Sequence, residues 1–416
     1  MKDRVILHCD INNCYAAISE LHHPKLRGLP VAVGGDVEQR HGIILAKNYE
    51  AKPYGIKVGQ ALWEAKQLCP DLVIIPPEFD LYMRFSRMFR EIMSEYSDQI
   101  EPFGLDELWA DVTGSLAYFG CTGEELAHTI RERVKFELGV TISIGVSWNK
   151  IFAKLGSDYK KPDAVTAITR ENFRDIVWNL PVADLLGVGK ATEGKLRNYG
   201  ITTIGDIARA DEAFLAARLG KWGEILHSFA NGNDTSPVQR LGNEAMVKSV
   251  GNSTTTPRDL VNEQDCKIVF YNLAESVAAR LRELGLKGHT IQISLRDNQL
   301  VSFERQKKLT APTNLATEIT DTAMELLCAN YTFKNPLRSI GVRATGLVPA
   351  HDCYQISMFA DEEARKRQEV IERTTDELRR RFGYYSINIA LMMLDPMLGK
   401  LNAKGDNIIH PVGYFG

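Results

Sequence analysis

Glu101-Pro-Phe-Gly-Leu-Asp-Glu-Leu-Trp-Ala-Asp-Val-Thr113 sets two carboxylates, Asp106 and Glu107, side by side at the head of an alternating strand pattern. Adjacent acids repel, so a folded pair takes up a proton, points apart, or binds a cation such as Mg²⁺, which prefers carboxylate oxygen and keeps open positions for phosphate. Taken alone, such a pair is more often a solvated turn than a metal site. A geometric condition comes with the metal reading. Successive strand residues face opposite sides of a sheet, so both acids serve one site only if the backbone turns there, and Gly104 is the residue that permits it. A regular strand through 104–108 would rule that use out.

Upstream, Val5-Ile-Leu-His-Cys9 reads as a buried strand delivering Asp10 to its end, and Ala16–Leu21 reads as a helix. A strand end feeding a helix N-terminus suits phosphate, because the helix offers unpaired N–H groups and an acid beside them can hold a metal. The plainer reading makes Asp10 and Asn12 helix caps. Val31–Val33 is a strand, and from Gly42 a further strand passes into a helix ending before Pro53, with Tyr49 and Lys52 on one face. Gln60–Leu68 is a short helix. Glu78–Ser97 carries Tyr82, Phe85, Phe89, Ile92 and Tyr96 at helical spacing, a core-facing stripe. Downstream, Gly123–Leu138 is a second amphipathic helix and Val140–Val146 a strand. This gives one sheet with two helices on one face and the other face free. Asn149–Pro162 reads as a helix with a basic tip at Lys160 and Lys161, and the distance of those lysines from the acids decides whether they reach a phosphate.

At 416 residues the chain exceeds one hydrophobic core and implies several domains. It has no run of about 18 apolar residues and its start lacks an export signal, so no membrane span and a cytoplasmic location are expected. Seven scattered cysteines without C-x-x-C spacing argue against a zinc site or a disulfide scaffold. The formal charge of -3 gives no global nucleic-acid footprint, so binding to DNA has to rest on local patches.

From about Glu171 short helices and glycine turns take over. Asp184–Thr192 has the shape helix, Gly187-Val-Gly189 hairpin, helix, followed by Lys190; successive backbone N–H groups of such a hairpin grip phosphate without reading sequence. An ordinary glycine-capped connection is the alternative. Asn231–Pro237 is composed like a linker. Beyond it a strand at Lys248–Val250, a helix at 263–284, strands at 290–296 and 299–303, a helix at 314–329 and a strand at 337–343 follow the split β-α-β-β-α-β order. Lys248, Arg296, Arg338 and Arg343 then present a basic sheet face. Gln355-Ile-Ser-Met358-Phe359 reads either as a hook for a partner's pocket or as a contact onto its own domain, and a charged helix spans 361–381.

Four ordered motifs carry a resemblance: Asp10-x-Asn-x-x-Tyr15, Asn48-Tyr-Glu-Ala-Lys52, Leu105-Asp-Glu107 and Gly145-Val-Ser-Trp-Asn-Lys-Ile-Phe-Ala-Lys-Leu-Gly-Ser-Asp-Tyr-Lys-Lys-Pro162. Together they resemble the Y-family DNA polymerases of the bacterial DinB/UmuC-like translesion class, over roughly residues 1 to 350. The resemblance implies an α+β multidomain right-hand polymerase: palm at 1–10 and 78–168, small fingers at 11–77, a helical thumb with helix-hairpin-helix at 169–235, a linker at 236–247, a β-α-β-β-α-β little finger at 248–349, and a tail at 350–416. It implies metal ligands Asp10, Asp106 and Glu107 with the Ile11 carbonyl, two Mg²⁺ ions, a sugar-sensing gate at Tyr15 flanked by Asn13 and Cys14, and triphosphate contacts from Tyr49, Lys52 and Lys161. Implied partners are primer-template DNA, dNTP and a sliding clamp bound through Gln355, Met358 and Phe359, the enzyme itself being a monomer. Many members have Arg at the position of Lys52, Ser at that of Gly104 and Thr at that of Ala46; these departures bear on nucleotide affinity and fidelity. A non-catalytic clamp-tethered relative would have lost the acids, and a nuclease has no use for Tyr15.

Overall fold

The computed structural model describes residues 3–35, 42–242, 246–352 and 361–403. They form two compact units, the bulk of the first lying before residue 243 and the bulk of the second after 245. In chain order the first carries β1 (Ile6–Ile11), α1 (Cys14–His22), β2 (Val31–Gly34), β3 (Ile44–Lys47), α2 (Leu62–Leu68), β4 (Val73–Ile75), α3 (Phe79–Ser94), β5 (Ile100–Phe103), β6 (Glu107–Asp111), α4 (Leu116–Phe119), α5 (Gly123–Leu138), β7 (Ile142–Ser147), α6 (Lys150–Tyr159) and β8 (Val165–Ala167). Then come α7 (Phe173–Val177), α8 (Lys190–Arg197), α9 (Ile204–Arg209), α10 (Glu212–Leu219) and α11 (Lys221–Ala230).

The principal sheet runs β5-β6-β1-β7-β8, with β1 antiparallel to both neighbours. Strand alternation sends Leu7, Cys9 and Ile11 into one core with the expected aromatic stripe of α3 and with Leu126, Ile130, Val134 and Leu138 of α5. Burying each of these large side chains contributes roughly 1.5–3 kcal/mol. Helix α5 begins where Thr122 and Glu125 cap each other reciprocally.

The opposite face is not free, as the pattern had suggested. Helix α6 packs on β1 and β7, and glycine is the reason: a Cβ on Gly145 would stand 1.8 Å from the Ala153 carbonyl oxygen, and one on Gly156 would stand 3.0 Å from the Gly145 Cα. Gly145→Ala is therefore expected to lower stability by about 3 kcal/mol or more, the upper end of overpacking costs. Urea unfolding checks this, and a midpoint equal to wild type would contradict the close-packing argument.

The small sheet β3-β2-β4 packs on α2. Residues 48–54 are a turn and a single 3₁₀ turn, Lys52–Tyr54, where a helix was expected. Asn48 explains the difference. Fully buried, it accepts from Val31 N at 2.9 Å and from Ala51 N at 3.0 Å, and donates to the Leu29 carbonyl at 2.7 Å, giving the backbone partners that a helix would otherwise supply.

Helices α7 to α11 share their own core with Trp148 and Phe152. Ahead of the Gly187-Val-Gly189 hairpin stands one 3₁₀ turn, Val182–Asp184, rather than a helix. Residues 231–241, linker-like in composition, are held on the first unit: Trp148 donates to the Gly232 carbonyl at 2.9 Å, Arg4 to the Ser236 carbonyl at 2.8 Å, and Gln239 N to Glu101 at 2.9 Å.

The second unit contains β9 (Ser249–Leu260), α12 (Glu263–Glu283), β10 (Leu286–Asp297), β11 (Ser302–Thr313), α13 (Ala316–Asn330), β12 (Leu337–Pro349), α14 (Glu362–Phe382) and α15 (Pro396–Gly399). Its sheet order is β11-β10-β12-β9, with every pair antiparallel. Strands β9 and β10 therefore run the same way with β12 between them, the split βαβ arrangement. The strands outrun their sequence signals because β11 is exposed along most of its length and offers no apolar alternation to read. Ile291, Ile293, Leu295, Ile340, Val342 and Ala344 face α12 and α13.

The charged stretch after 360 joins this unit as α14. Buried Arg282 pairs with Glu372 at 2.6 Å and Asp376 at 2.7 Å, Arg365 pairs with Glu318 at 2.7 Å, and Glu372 also accepts from Ala316 N at the start of α13. Met392, Leu398 and Leu401 then enter the core. Among the described residues no helix is long and apolar enough to cross a membrane.

Candidate active site

Asp10 on β1 and Glu107 on β6 are direct cross-strand partners, so they leave the sheet on the same face. Asp106 precedes β6. Strand β5 stops at Phe103, Gly104 adopts φ +83°, and the chain turns through 104–106, as two adjacent acids in one site require. The Asp106 carbonyl accepts from Ile11 N at 2.9 Å and ties this turn to the end of β1. Ile11 sends its side chain into the core. Asp10 and Asn12 cap nothing: Asp10 is a strand residue, and Asn12 binds Thr141 Oγ1 at 3.0 Å and Ser143 Oγ at 2.9 Å.

The acids are strongly perturbed. Burial pushes Asp10 up to about 7 against the pull of the Lys161 charge, and the Glu107 charge adds to the rise. Burial and the Glu107 charge likewise raise Asp106. For Glu107 burial acts upward too, but the His8 contact and the Lys154 charge outweigh it and hold the carboxyl well below its usual range. Lys161 Nζ lies 2.6 Å from Asp10 Oδ2 and 2.7 Å from Asp158 Oδ1, and these acids keep the lysine charged despite its burial. Lys154 Nζ bonds Glu107 Oε2. Among the described residues no three Asp, Glu, His or Cys side chains already form a ligand cage; two of the acids are engaged by lysines. The donor set is nonetheless all carboxylate oxygen plus carbonyl, which fits a hard divalent cation such as Mg²⁺ and not a zinc site.

Tyr15, in the first turn of α1, stacks on Tyr82 with ring centroids 4.4 Å apart and planes 7° from parallel, while Phe79 meets it edge-on at 6.0 Å. Tyr82 is held in turn by Ser19 Oγ at 2.8 Å. Asn13, the helix N-cap, is left-handed at φ 40°, and Cys14 is buried beside the acids. Lys52 Nζ sits 3.8 Å from the Tyr49 ring centroid. Charges on Lys161 and Asp10 act on both Tyr49 and Lys52, which brings these residues to the acid cluster.

The remaining candidates belong to other elements. Gly187 needs its φ of +91°, because a Cβ there would meet Trp222 at 2.4 Å; Gly189 caps α8 and Lys190 is exposed. In the second unit Arg296 and Arg343 are exposed on the sheet face away from the helices, where Arg343 pairs with Gln292 and Gly251. Arg338 departs from the expected alternation because the ladder shifts between Leu337 and Ser339, and Lys248 precedes β9. Lys308, opposite Thr290, joins the open face unforeseen. Gln355, Met358 and Phe359 lie outside the described residues.

Sequence reasoning missed His8, Lys154, Asp158 and the stacking role of Tyr82. Two signals were available: His8 is two residues before Asp10 and so shares its face, and Lys154, Asp158 and Lys161 are spaced four and three apart, along one side of α6 and its end.

Comparison with known proteins finds relatives along most of the chain. Models of the impB/mucB/samB family, its helix-hairpin-helix motif and its C-terminal domain match residues 9–158, 170–201 and 247–358. DNA polymerase IV of Acetivibrio thermocellus is 50% identical over 398 residues, 96% of this chain and 100% of the relative. DNA polymerase IV of Pelotomaculum thermopropionicum is 36% identical over 405 residues, 97% of this chain and 99% of the relative. A solved Y-family DNA polymerase chimera of Dbh and Dpo4 superposes with a TM-score of 0.72 at 23% identity, covering 83% of this chain and 99% of that one, and carries the fold: palm, fingers, thumb and little finger. With full-length relatives at this identity, the chain belongs to the impB/mucB/samB family of Y-family DNA polymerases.

Proposed function

We propose that this DNA-directed DNA polymerase extends a primer 3′ end with dNTPs at low fidelity, bypassing damaged template, and that Asp10, Asp106 and Glu107, with the Ile11 carbonyl, hold two Mg²⁺ ions for the reaction. The observation that supports it most is the cross-strand pair Asp10 and Glu107 joined by Asp106 through the Gly104 turn. Two divalent cations held by these residues would activate the primer 3′-oxygen and offset charge on the leaving pyrophosphate. The chain's own residues do the rest. Lys161 releases Asp10 and takes a triphosphate oxygen, Tyr49 and Lys52 hold the same group, and Lys52 acts as a point charge rather than a bidentate fork. Tyr15, backed by Tyr82, lies under the sugar and excludes a 2′-hydroxyl.

The residue ranges given above for palm, fingers, thumb, linker, little finger and tail are our assignment. Gly187, Gly189 and Lys190 grip backbone phosphate, as do Arg296 and Arg343 on the open sheet face with Lys248 and Arg338 at its margins. We assign Gln355, Met358 and Phe359 to clamp docking by a monomeric, cytoplasmic enzyme.

Primer extension tests the proposal: purified protein should add template-complementary dNTPs only with a divalent cation, and no extension under any metal would overturn it. A pH dependence follows from Asp10. Its carboxyl, raised to about 7, must lose a proton to accept a metal ion. Going from about pH 8 to about pH 6 protonates it, so half-saturating Mg²⁺ should rise several-fold. A flat Mg²⁺ requirement over that window would contradict the role given to Asp10.

A further inference from the structure

We propose that His8 is a positioning residue for Glu107: with the Ser157 hydroxyl turned toward Nδ1 and the imidazole proton on Nε2, Nε2 holds Oε2 from inside the protein, so that Oε1 is the oxygen presented to the cation. This rests on the reading of Glu107 as a metal ligand. His8 is fully buried, with its ring edge-on to Trp109 at 5.0 Å. Nε2 lies 3.2 Å from Glu107 Oε2 and, among the described residues, makes no hydrogen bond in the present arrangement, whereas Nδ1 lies 2.8 Å from Ser157 Oγ. The ammonium of Lys154 falls on the same Oε2. An oxygen that accepts from both an ammonium and an imidazole has its two lone pairs engaged, which leaves the other oxygen for a metal, and outer groups of this kind orient ligands and tune affinity.

Ser157 decides whether the imidazole can act. Its hydroxyl has one hydrogen, and in the present arrangement donates it to the Lys154 carbonyl at 2.8 Å. The His8 proton then resides on Nδ1, and the Nε2 lone pair faces the carboxylate. Rotation of the hydroxyl toward Nδ1 places the proton on Nε2, which donates to Glu107. In that rotated state the Ser157–His8–Glu107 line orders a ligand from within the core while touching neither nucleotide nor metal.

The test compares wild type, His8→Phe, His8→Gln, Ser157→Ala and Glu107→Gln as full-length proteins. Mn²⁺ binding is titrated by electron paramagnetic resonance on complexes with dideoxy-terminated primer-template and dNTP, which cannot react. The Mg²⁺ dependence of extension and thermal melting accompany it. His8→Phe should weaken Mn²⁺ binding about 10- to 100-fold, the range for outer-shell partners, and should lower kcat with KM for dNTP unchanged. His8→Gln, whose amide can donate from near the Nε2 position, should recover most of the loss, and Ser157→Ala should fall between. Wild-type Mn²⁺ binding in His8→Phe beside a loss in Glu107→Gln would overturn the proposal and leave the metal reading intact. Unchanged binding in Glu107→Gln would overturn the metal reading and this inference with it. If His8→Phe does not fold, Ser157→Ala decides, and wild-type affinity there overturns the proposal. Equal impairment of His8→Phe and His8→Gln would reduce His8 to core filling and overturn it as well.

Discussion

Asp106→Ala is expected to reduce primer extension roughly a thousandfold or more while the protein folds normally, since loss of about 4 kcal/mol of transition-state stabilisation corresponds to that factor. Three features of the site argue for so large an effect. Asp106 is brought to Asp10 and Glu107 by a dedicated glycine turn, its backbone is tied to the end of β1, and burial beside Glu107 makes its charge costly unless a cation offsets it. The same cost implies an unchanged or higher melting temperature for the variant, because a strained acid is removed from a like-charged neighbour. Single-turnover extension together with thermal melting checks both halves. Near-wild-type extension by Asp106→Ala would remove Asp106 from the site.

Tyr15→Ala should raise ribonucleotide incorporation relative to deoxynucleotide by at least about tenfold, the scale on which one steric contact in a well-formed pocket discriminates. Rigidity is what makes the ring a gate. Tyr15 stacks flat on Tyr82, meets Phe79 edge-on, and Tyr82 is fixed by Ser19, so the ring cannot swing aside for a 2′-hydroxyl. Competition between rNTP and dNTP on one template reads the ratio directly. Sugar selection equal to wild type would show that the gate lies elsewhere.

What was legible in the sequence was periodic or motif-borne. The α3 and α5 stripes, the central strands and the split β order follow from spacing that local physics enforces. The acidic pair likewise announced its own geometric condition through Gly104. What was hidden depended on partners distant in sequence. His8 reads as one more strand residue until Ser157 and Glu107 are found on either side of it. Tyr82 belongs to a core stripe by period, and only the placement of α1 puts Tyr15 against it. Asn48 redirected residues 48–54 through side-chain hydrogen bonds that outweigh helix propensity. The cover of the sheet by α6 was written in Gly145 and Gly156, but as an absence of side chains rather than a pattern. The charged helix after 360 was legible, but its docking was not, because α14 uses ion pairs such as Arg282 with Glu372 instead of an apolar face.

The central claim is that Asp10, Asp106 and Glu107 jointly hold the catalytic cations. It is tested most directly by anomalous diffraction from crystals of the protein with Mn²⁺, dideoxy-terminated primer-template and dNTP. Two Mn²⁺ peaks about 3.5–4 Å apart are predicted, held by Asp10, Asp106 and Glu107, with Lys161 moved from Asp10 to the triphosphate. Peaks that avoid Asp106 and Glu107, or Lys161 still seated on Asp10 with nucleotide bound, would contradict the account.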